Sequence, residues 1–447
     1  MRKLLTIIAT LVATMTQAQG VIDVHSHIIT PEFVSALESE GRLLDEGFPL
    51  PKWDAEAQQK WMDEAGIAKS VLTMAAPNPT SAAVIRETNE AVFRLKREHP
   101  DRFMFCAALP LPDVNAAIEE ARYALDVLGA DGIKLATNAF GQYLGAPELD
   151  TLFSFLNERK AVIILHPHRP EPVNRQVMQQ TPLAMQEYLS ETTRAVSNMI
   201  SRNVLARYNN VKVVVPHCGA YLPLMVPRMQ SLTPVMQANK LVGDIDWETN
   251  LATLYYDLAG AHSPEVIRML LTITTPDHLL YGSDYPYVAT QVLTQSLHRM
   301  QQYLITEPDL APFRKMILSE NARWLFGMGA KPVADKPKGT MICRIAEIEV
   351  YPQYLNEYLT FANDVDRRSM TEEPGVICLF PMQSAEDSTQ IRILEIYASD
   401  EAYQQHLKTP HFLKYKQGTL HMVKSLKLPT MQPLDCETMN KIFKRLK

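Results

Sequence analysis

Short apolar runs alternate with longer amphipathic stretches from Val21 to about Gly327. Eight of the short runs are rich in β-branched and apolar residues and are candidate strands, at 21–27, 69–76, 102–109, 132–137, 161–168, 211–219, 253–260 and 278–286. The stretches between them have helical periodicity, among them 54–65, 81–99, 113–128 and 147–159. Near-continuous apolar strands separated by helices indicate a parallel sheet with both faces buried.

Eight strand-helix units within about 300 residues have the size of a (β/α)8 barrel. The pattern therefore predicts an α/β TIM barrel over residues 19–328. A doubly wound open sheet is the alternative, but the first run is not followed by the G-x-G-x-x-G that such a dinucleotide-binding sheet carries.

The pattern changes after the barrel. Residues 329–340 are rich in proline, glycine and lysine and are typical of a linker. Candidate strands and helices then follow in the order βαββαβ, at 341–350, 352–370, 375–383, 390–398, 400–416 and 422–428. This order predicts a small α+β domain of the ferredoxin-like type over 341–433, with a tail at 434–447.

The first eighteen residues have the layout of a secretory signal peptide. Arg2 and Lys3 precede an apolar stretch from Leu4 to about Val12, and small and polar residues end at Ala18. We expect cleavage after residue 18 and an exported protein, periplasmic or secreted. A frayed hydrophobic terminus or a buried first strand is the alternative. No later run approaches the ~20 apolar residues of a spanning helix, so no membrane partner is expected after cleavage.

Composition excludes several classes of protein. Forty-four Lys+Arg against fifty Asp+Glu give a net charge of −6, so nucleic acid is not expected as a partner. Hydrophobic residues make up 46% of the 447-residue chain, which is enough for a large core and excludes a disordered protein. The five cysteines include no C-x-x-C pair, so neither a zinc finger nor a disulfide framework is expected.

An H-x-H pair ends the first candidate strand. Side chains two apart on a strand share a face, so His25 and His27 both point into the barrel, at the spacing that lets two imidazoles bind one metal ion. Three more polar residues end other candidate strands: His166 the fifth, His217 the sixth and Asp284 the eighth. Barrel enzymes place their active sites at these carboxyl ends, so all five residues are expected on one rim.

The motifs around these residues resemble the amidohydrolase superfamily, and more closely its aminocarboxymuconate-semialdehyde decarboxylase-like branch. They are VIDVHSHIITP, ILHPH, VVPHCGAYLP, LLYGSDYP and ENARWLFG. The resemblance implies one divalent metal ion, usually zinc, held by His25, His27, His166 and Asp284. It also implies that His217 transfers the proton, and we expect Asp284 to act in catalysis as well as in metal binding.

Three residues near these motifs are candidates for substrate binding. His168, on the fifth strand, either lines the pocket or is a spare ligand. Lys134, at the end of the fourth strand, is a substrate contact or part of a buried ion pair. Arg169 is a bidentate clamp for a substrate carboxylate or an ordinary surface residue. Cys218 is expected to be a buried, inert thiol rather than a nucleophile.

The C-terminal domain resembles the antibiotic biosynthesis monooxygenase family, which includes quinol monooxygenase-like proteins. The resemblance rests on EIEVYPQYLNEYL, EEPGVICLFPMQ, ILEIYASDEAYQQHLKTPHFLKYK and MVKSLKL. It implies a domain of the dimeric α/β-barrel type that needs no cofactor, with Glu395, His406, His411 and Tyr415 as pocket residues. Catalysis in this domain and a role in dimerisation or ligand binding both stay open.

These features predict an exported, homodimeric, metal-dependent enzyme that decarboxylates a small cyclic or aromatic carboxylate. Hydrolysis of a lactone or amide is one alternative, because the same ligand set serves both reactions. A protein that binds or senses phenolic ligands is a second. In a third, the barrel releases a phenol that the small domain oxidises to a quinone.

Overall fold

A computed structural model describes residues 20–174, 176, 181–334, 342–373 and 375–431 of the chain. They form two compact units, which divide between Ala334 and Asp335. The expected signal segment, the end of the linker and the tail at 434–447 lie outside the described residues. Among the described helices, none is long and apolar enough to cross a membrane.

Eight parallel strands form the sheet of the first unit, and neighbours in the chain are neighbours in the sheet. They are β1 (Val21–Ile28), β2 (Ile67–Met74), β3 (Phe103–Ala108), β4 (Gly132–Ala136), β5 (Val162–His166), β6 (Lys212–Val215), β7 (Leu254–Asp257) and β8 (Leu279–Leu280). A two-stranded hairpin, Asn138–Ala139 with Gln142–Tyr143, follows β4.

The last strand returns to the first. Beyond β8 the chain runs beside β1, where Ser26 and Tyr285 form a parallel bridge. The Val24 amide donates to the Tyr281 carbonyl at 3.0 Å, and the Asp284 amide donates to the His25 carbonyl at 2.8 Å. These bonds join the two edges of the sheet, and the expected barrel is confirmed.

Helices separate the strands. The α-helices of the barrel are Pro31–Ser39, Ala55–Ala65, Ala82–Glu98, Val114–Arg122, Asp150–Glu158, Glu187–Ser201, Val204–Arg207, Leu222–Ala238, Trp247–Ala252, Pro264–Leu270, Thr290–Thr306 and Asn321–Leu325, with wider turns at Tyr123–Val127 and Met316–Glu320. Several start at a side chain that caps free backbone amides: Asp54, Ser81 and Asp113 each accept from the amide three residues on. These boundaries agree with the helices predicted from periodicity to within a few residues.

Side-chain alternation decides which residues face the barrel interior. On β4, Ile133 and Leu135 pack into the apolar core that the strands share with the helices, so Lys134 between them points inward. On β5, Ile164 belongs to the interior apolar cluster, and His166 two residues later lies on the same face. The barrel interior is thus apolar along the strands and polar at their carboxyl ends.

A β-bulge changes the phase of β1. Asp23 pairs with Ser70 and Ser26 pairs with Leu72, so β1 has one residue more than β2 between these pairs. The alternation of side-chain directions along β1 therefore shifts by one residue. Ile22 and Val24 lie in the interior apolar cluster, and after the shift the side chains of His25 and His27 face the interior as well.

The second unit is an antiparallel sheet with helices on one face. Its strands are β9 (Ile342–Val350), β10 (Val376–Gln383), β11 (Gln390–Tyr397), β12 (Val423–Lys427) and β13 (Thr430–Met431), and its α-helices are Leu355–Glu372, Asp400–His406 and Pro410–Thr419. The sheet order β10-β11-β9-β12, with β13 on β9, is the ferredoxin-like arrangement, so the predicted βαββαβ domain is confirmed.

Candidate active site

Four potential metal ligands meet at the carboxyl ends of the barrel strands. One ligand atom each from His25, His27, His166 and Asp284 lies within 4.8 Å of all the others. The three histidines are buried, and the side chain of Asp284 is 23% exposed. The structure therefore brings together the ligand set expected from the resemblance.

Hydrogen bonds fix the orientation of the first two imidazoles. His25 Nδ1 lies 2.9 Å from Asp257 Oδ2, and His27 Nδ1 lies 3.0 Å from Thr73 Oγ1. The Thr73 hydroxyl donates to the Ser26 carbonyl at 3.2 Å, so it accepts from His27 Nδ1. Both rings then carry their proton on Nδ1 and direct Nε2 into the cluster.

The third imidazole is oriented in the same way. His166 Nδ1 donates to the Pro167 carbonyl at 2.9 Å, which leaves its Nε2 free. Metal-binding histidines commonly donate their other ring N–H to a carboxylate, a hydroxyl or a carbonyl, and such partners strengthen metal binding. The three imidazoles have one partner of each kind.

The charges at the cluster favour a cation. Burial opposes protonation of His25, but Asp257 and Asp284 raise its pKa well above its usual range. Burial also opposes ionisation of Asp284, yet His25 and the neighbouring imidazoles hold the pKa of this carboxyl well below its usual range. Burial lowers the pKa of His27 to about 4. Two ionised carboxylates, Asp257 and Asp284, therefore lie beside a protonated His25 and a neutral His27, so the only positive charge of the cluster is the one that His25 carries.

The residues present fit a divalent metal ion. His25 Nε2 is buried and has no hydrogen-bond partner among the described residues, although Asp284 Oδ1 lies 3.4 Å away, and a buried polar atom without a hydrogen bond is costly unless something binds it. Imidazole nitrogens with one carboxylate suit zinc and related transition metals, and four such groups approach a tetrahedral set. A divalent ion held here would replace the proton on His25 and satisfy this nitrogen.

His217 faces the same space, but it does not end a strand. Strand β6 stops at Val215, and His217 and Cys218 follow with φ of 56° and 55°, in the left-handed region. His217 Nε2 lies 3.6 Å from Asp284 Oδ2, and the His217 backbone amide donates to Asp257 Oδ1 at 3.1 Å. Burial raises the pKa of the Cys218 thiol, which agrees with an inert cysteine.

Asp284 also lies beyond the end of its strand. Strand β8 stops at Leu280, and Asp284 has φ of 64° in the segment that runs beside β1. A non-glycine residue in this region costs of order 1 kcal/mol, and such residues concentrate at functional sites. The prediction that Asp284 lies on this rim agrees with the structure, but Asp284 follows strand β8 rather than ending it.

The three candidate substrate-binding residues line one pocket together, and the lining of this pocket includes none of the four potential metal ligands. Lys134 is fully buried, and among the described residues no carboxylate lies within ion-pair distance of it. His168 Nε2 accepts from Lys134 Nζ at 3.2 Å. The Arg169 guanidinium pairs with Asp45 and Glu171, each at 3.2 Å, which favours the alternative of an ordinary arginine over a clamp for a substrate carboxylate.

The four pocket residues expected in the small domain fall into two groups. His406 Nδ1 and His411 Nε2 both contact Glu373 Oε1, at 3.0 Å and 2.6 Å. In the second group, the Tyr415 hydroxyl lies 2.7 Å from that of Tyr358. Burial raises the pKa of Tyr415 to about 12, and the nearby Glu395 adds to this effect.

Sequence reasoning missed several residues that shape the barrel site. Asp257 ends β7, the same position that singled out His166, so the strand pattern offered a signal for it. Glu46 and Asn78 lie in loops and carry no such signal. Thr73, on β2, faces the interior one position before the strand ends.

Comparison with known proteins identifies both domains. Residues 22–328 match the amidohydrolase family, and residues 341–418 match the antibiotic biosynthesis monooxygenase family. Decarboxylase yanB of Aspergillus niger is 32% identical over 324 residues, which are 68% of this chain and 87% of that protein. The 6-methylsalicylic acid decarboxylase acuB of Aspergillus aculeatus is 29% identical, over 68% of this chain and 95% of its own length.

A solved structure has the same barrel. The crystal structure of an amidohydrolase II superimposes with a TM-score of 0.61 at 29% identity, covering 69% of this chain and 99% of that one. The fusion expected from the sequence motifs is thus confirmed. The amidohydrolase match spans more than two thirds of this chain, so the chain belongs to the amidohydrolase family. It carries an antibiotic biosynthesis monooxygenase domain after the barrel in sequence.

Proposed function

We propose that the barrel is a metal-dependent decarboxylase of small aromatic carboxylates. The observation that carries the proposal is the convergence of three imidazole Nε2 atoms and the Asp284 carboxylate at the open end of the barrel. Two relatives whose names describe decarboxylases, one of them of 6-methylsalicylic acid, align over most of their own length and so support this reaction over others of the family.

His25, His27, His166 and Asp284 would hold one divalent ion, and zinc is our choice for this donor set. The ion, when bound, acts as a Lewis acid that orients and polarises substrate oxygen atoms. The chain itself orients the imidazoles through Asp257 and the other partners of the Nδ1 atoms, and it buries all three of them.

His217 is the proposed proton donor, with Asp284 as its neighbour. Its imidazole lies next to the ligand cluster, with Nε2 3.6 Å from Asp284 Oδ2, and it is not one of the four ligands. It delivers a proton to the ring carbon that bears the carboxylate, and a C–H bond forms there. The bond to the carboxylate then breaks, its electron pair returns to the ring, and CO2 leaves. His217 regains its proton from solvent.

Purified protein tests this assignment directly. We expect one equivalent of metal in the wild type, its loss in His25→Ala, and its retention in His217→Ala with CO2 release lowered by about 10²- to 10⁴-fold. Hydroxybenzoates and lactones are assayed side by side. Wild-type protein without stoichiometric metal contradicts the metal site, and ring opening of lactones without CO2 release assigns the site to the alternative hydrolase.

For the small domain we propose a dimerisation role. Phe380 pairs with Leu394 across the sheet, on the face opposite the helices, and Phe380 is 57% exposed. Met382, two residues along the same face, is 42% exposed. An apolar sheet face of this kind favours association with a second copy. Oxygen uptake with hydroquinones by the full chain would instead assign a monooxygenase activity to this domain.

Export is proposed from the N-terminal segment alone. Mass spectrometry of the protein isolated from its native cell tests it. A mature N-terminus at Gln19 in an extracytoplasmic fraction is the expected result, and an intact Met1 in the cytoplasm contradicts it.

A further inference from the structure

One pocket of the barrel unit has a lining that the proposed decarboxylation does not use. Glu46, Asn78 and Lys134 line it, and none of the four potential metal ligands does. Phe140 lines it as well, and because this side chain is 55% exposed, the pocket reaches the surface of the barrel unit. The pocket therefore needs an account of its own, separate from the metal site.

Lys134 is buried in the wall of this pocket without an acidic partner. It lies on β4, its side chain is 0% exposed, and no carboxylate of a described residue lies within ion-pair distance of it. A buried ammonium without a counterion is costly, so buried lysines are usually paired. Burial lowers the pKa of Lys134 to about 7, although the charge of Glu46 opposes the shift. Around neutral pH a large share of Lys134 is therefore the neutral amine.

The hydrogen bonds of Lys134 match those of a neutral amine. Nζ lies 2.6 Å from Asn78 Oδ1 and 3.2 Å from His168 Nε2. An ammonium has three hydrogens to place, and these two atoms are its only hydrogen-bond partners among the described residues. A neutral amine donates its two hydrogens to them and keeps its lone pair unbonded. Such an amine is a nucleophile, as in the lysines that form Schiff bases with carbonyl compounds.

Glu46 supplies an acid to the same pocket. It is 3% exposed, and its Oε2 accepts from the Tyr188 hydroxyl and from the Arg169 amide, each at 2.9 Å. Its Oε1 is buried and has no hydrogen-bond partner among the described residues. Burial raises the pKa of the Glu46 carboxyl, although the bonds at Oε2 oppose the shift. Oε1 is therefore the oxygen on which Glu46 carries and delivers a proton.

The charges of the pocket favour a neutral ligand. Arg42 and Arg169 also line it, but both already form ion pairs with acidic side chains. An anion would face the Glu46 carboxyl and find no free guanidinium, and a cation would face the two arginines. A neutral carbonyl compound suits the remaining groups, because its carbon accepts the amine lone pair and its oxygen accepts a proton.

We propose that Lys134 forms an imine with a small aldehyde or ketone in this pocket, with Glu46 as the acid. The Nζ lone pair attacks the carbonyl carbon, a C–N bond forms, and one proton moves from nitrogen to oxygen to give a carbinolamine. Glu46 protonates its hydroxyl, which leaves as water while the C=N bond forms, and the nitrogen returns a proton to Glu46. One amine and one carbonyl give one imine and one water, so no oxidant or reductant is needed.

Reductive trapping on the full chain tests the proposal. Propanal and cyanoborohydride are added at pH 7.5, and peptide mass spectrometry follows N-propylation of each lysine with time. A freely solvated lysine amine is about 0.1% neutral at this pH. Lys60 and Lys240, both exposed, serve as internal references. We expect Lys134 to react about 10- to 100-fold faster than either reference. A wild-type protein in which Lys134 reacts no faster than they do overturns the proposal.

Two variants separate the acid from the rest of the pocket. Glu46→Gln keeps the size of the side chain but has no proton to deliver, so N-propylation of Lys134 should slow by about 10²-fold. Removing the negative charge of Glu46 favours the neutral amine, so protonation of Lys134 does not explain a slower rate. Glu171→Gln, in the same lining and already paired with Arg169, is the control and should keep the wild-type rate. A folded Glu46→Gln protein that reacts at the wild-type rate contradicts the assignment of Glu46.

The same trapping is run on metal-loaded and on chelator-treated protein. Equal rates are expected, because no potential metal ligand lines the pocket. Trapping at Lys134 that requires the metal overturns the pocket as a separate site. Trapping at Lys134 in a protein that releases no CO2 supports the imine and counts only against the proposed decarboxylase.

Discussion

Asp257 lies outside the ligand set but bonds two residues of the barrel site, the His25 side chain and the His217 backbone. Its Oδ2 accepts from His25 Nδ1 at 2.9 Å, and its Oδ1 accepts from the backbone amides of His217 at 3.1 Å and Ala259 at 3.0 Å. In Asp257→Asn the amide oxygen keeps the two backbone bonds, so its NH2 group faces His25. His25 Nδ1 must then accept, and the ring proton moves to Nε2, the atom that would bind the metal.

The expected loss follows from this single bond. A hydrogen bond to a charged group contributes about 1.5–3 kcal/mol, which corresponds to roughly 10- to 100-fold in affinity. Removing the outer partner of a metal-bound histidine typically weakens metal binding by the same 10- to 100-fold. We therefore expect Asp257→Asn to bind Zn²⁺ about 10- to 100-fold more weakly than the wild type while keeping its fold, because all the backbone bonds survive.

Competition with a chromophoric chelator measures the metal affinity, and circular dichroism checks the fold. Asp113→Asn is the matched control, since Asp113 caps a helix and asparagine caps as well as aspartate does. A folded Asp257→Asn protein whose zinc affinity stays within twofold of the wild type would refute the orientation argument.

Three further predictions address other parts of the chain. Thr73→Val removes the acceptor for His27 Nδ1 and should weaken zinc binding about tenfold, whereas Thr73→Ser should restore it in the same competition assay. Burial and the nearby Glu395 raise the pKa of Asp366 from 3.8 to about 7. Between these two pH values the folded chain keeps a proton that the unfolded chain releases. The free energy of unfolding therefore falls as the pH rises from about 4 to about 7. Asp366→Asn should remove this fall and stabilise its domain by about 2 kcal/mol at pH 8, which calorimetry at pH 5 and pH 8 tests; an unchanged difference between the two pH values contradicts it. Phe380→Glu should convert the proposed homodimer to a monomer in light scattering, and a variant that stays dimeric moves the interface elsewhere.

Much of the fold could be predicted because it depends on local patterns. The period of apolar residues distinguishes strands from helices, and the alternation of eight such pairs leaves few architectures other than a barrel. The residues of the rim could be found for a related reason, whereas their division into metal ligands and proton donor is what the family resemblance implied. Parallel strands end at one rim, so polar residues at several strand ends must lie near each other.

The prediction was inexact for residues that lie just beyond the ends of the strands. His217 and Asp284 were placed on strands, but both lie in segments with positive φ after the hydrogen-bonded ladder stops. No period in the sequence reports such a conformation, because the surrounding contacts impose it. The bulge in β1 was equally invisible, although the side-chain directions of His25 and His27 depend on it.

The sequence by itself determined the two domains, the rim on which the site lies and the identity of the residues that meet there. Only the tertiary structure decided what those residues contact. Glu46 and Lys134 lie in a loop and a strand that are far apart in the chain, yet they line the same pocket. Arg169 forms an ion pair with Asp45. Which donor finds which acceptor depends on how loops pack over the rim, and that packing is a property of the whole fold rather than of any local segment.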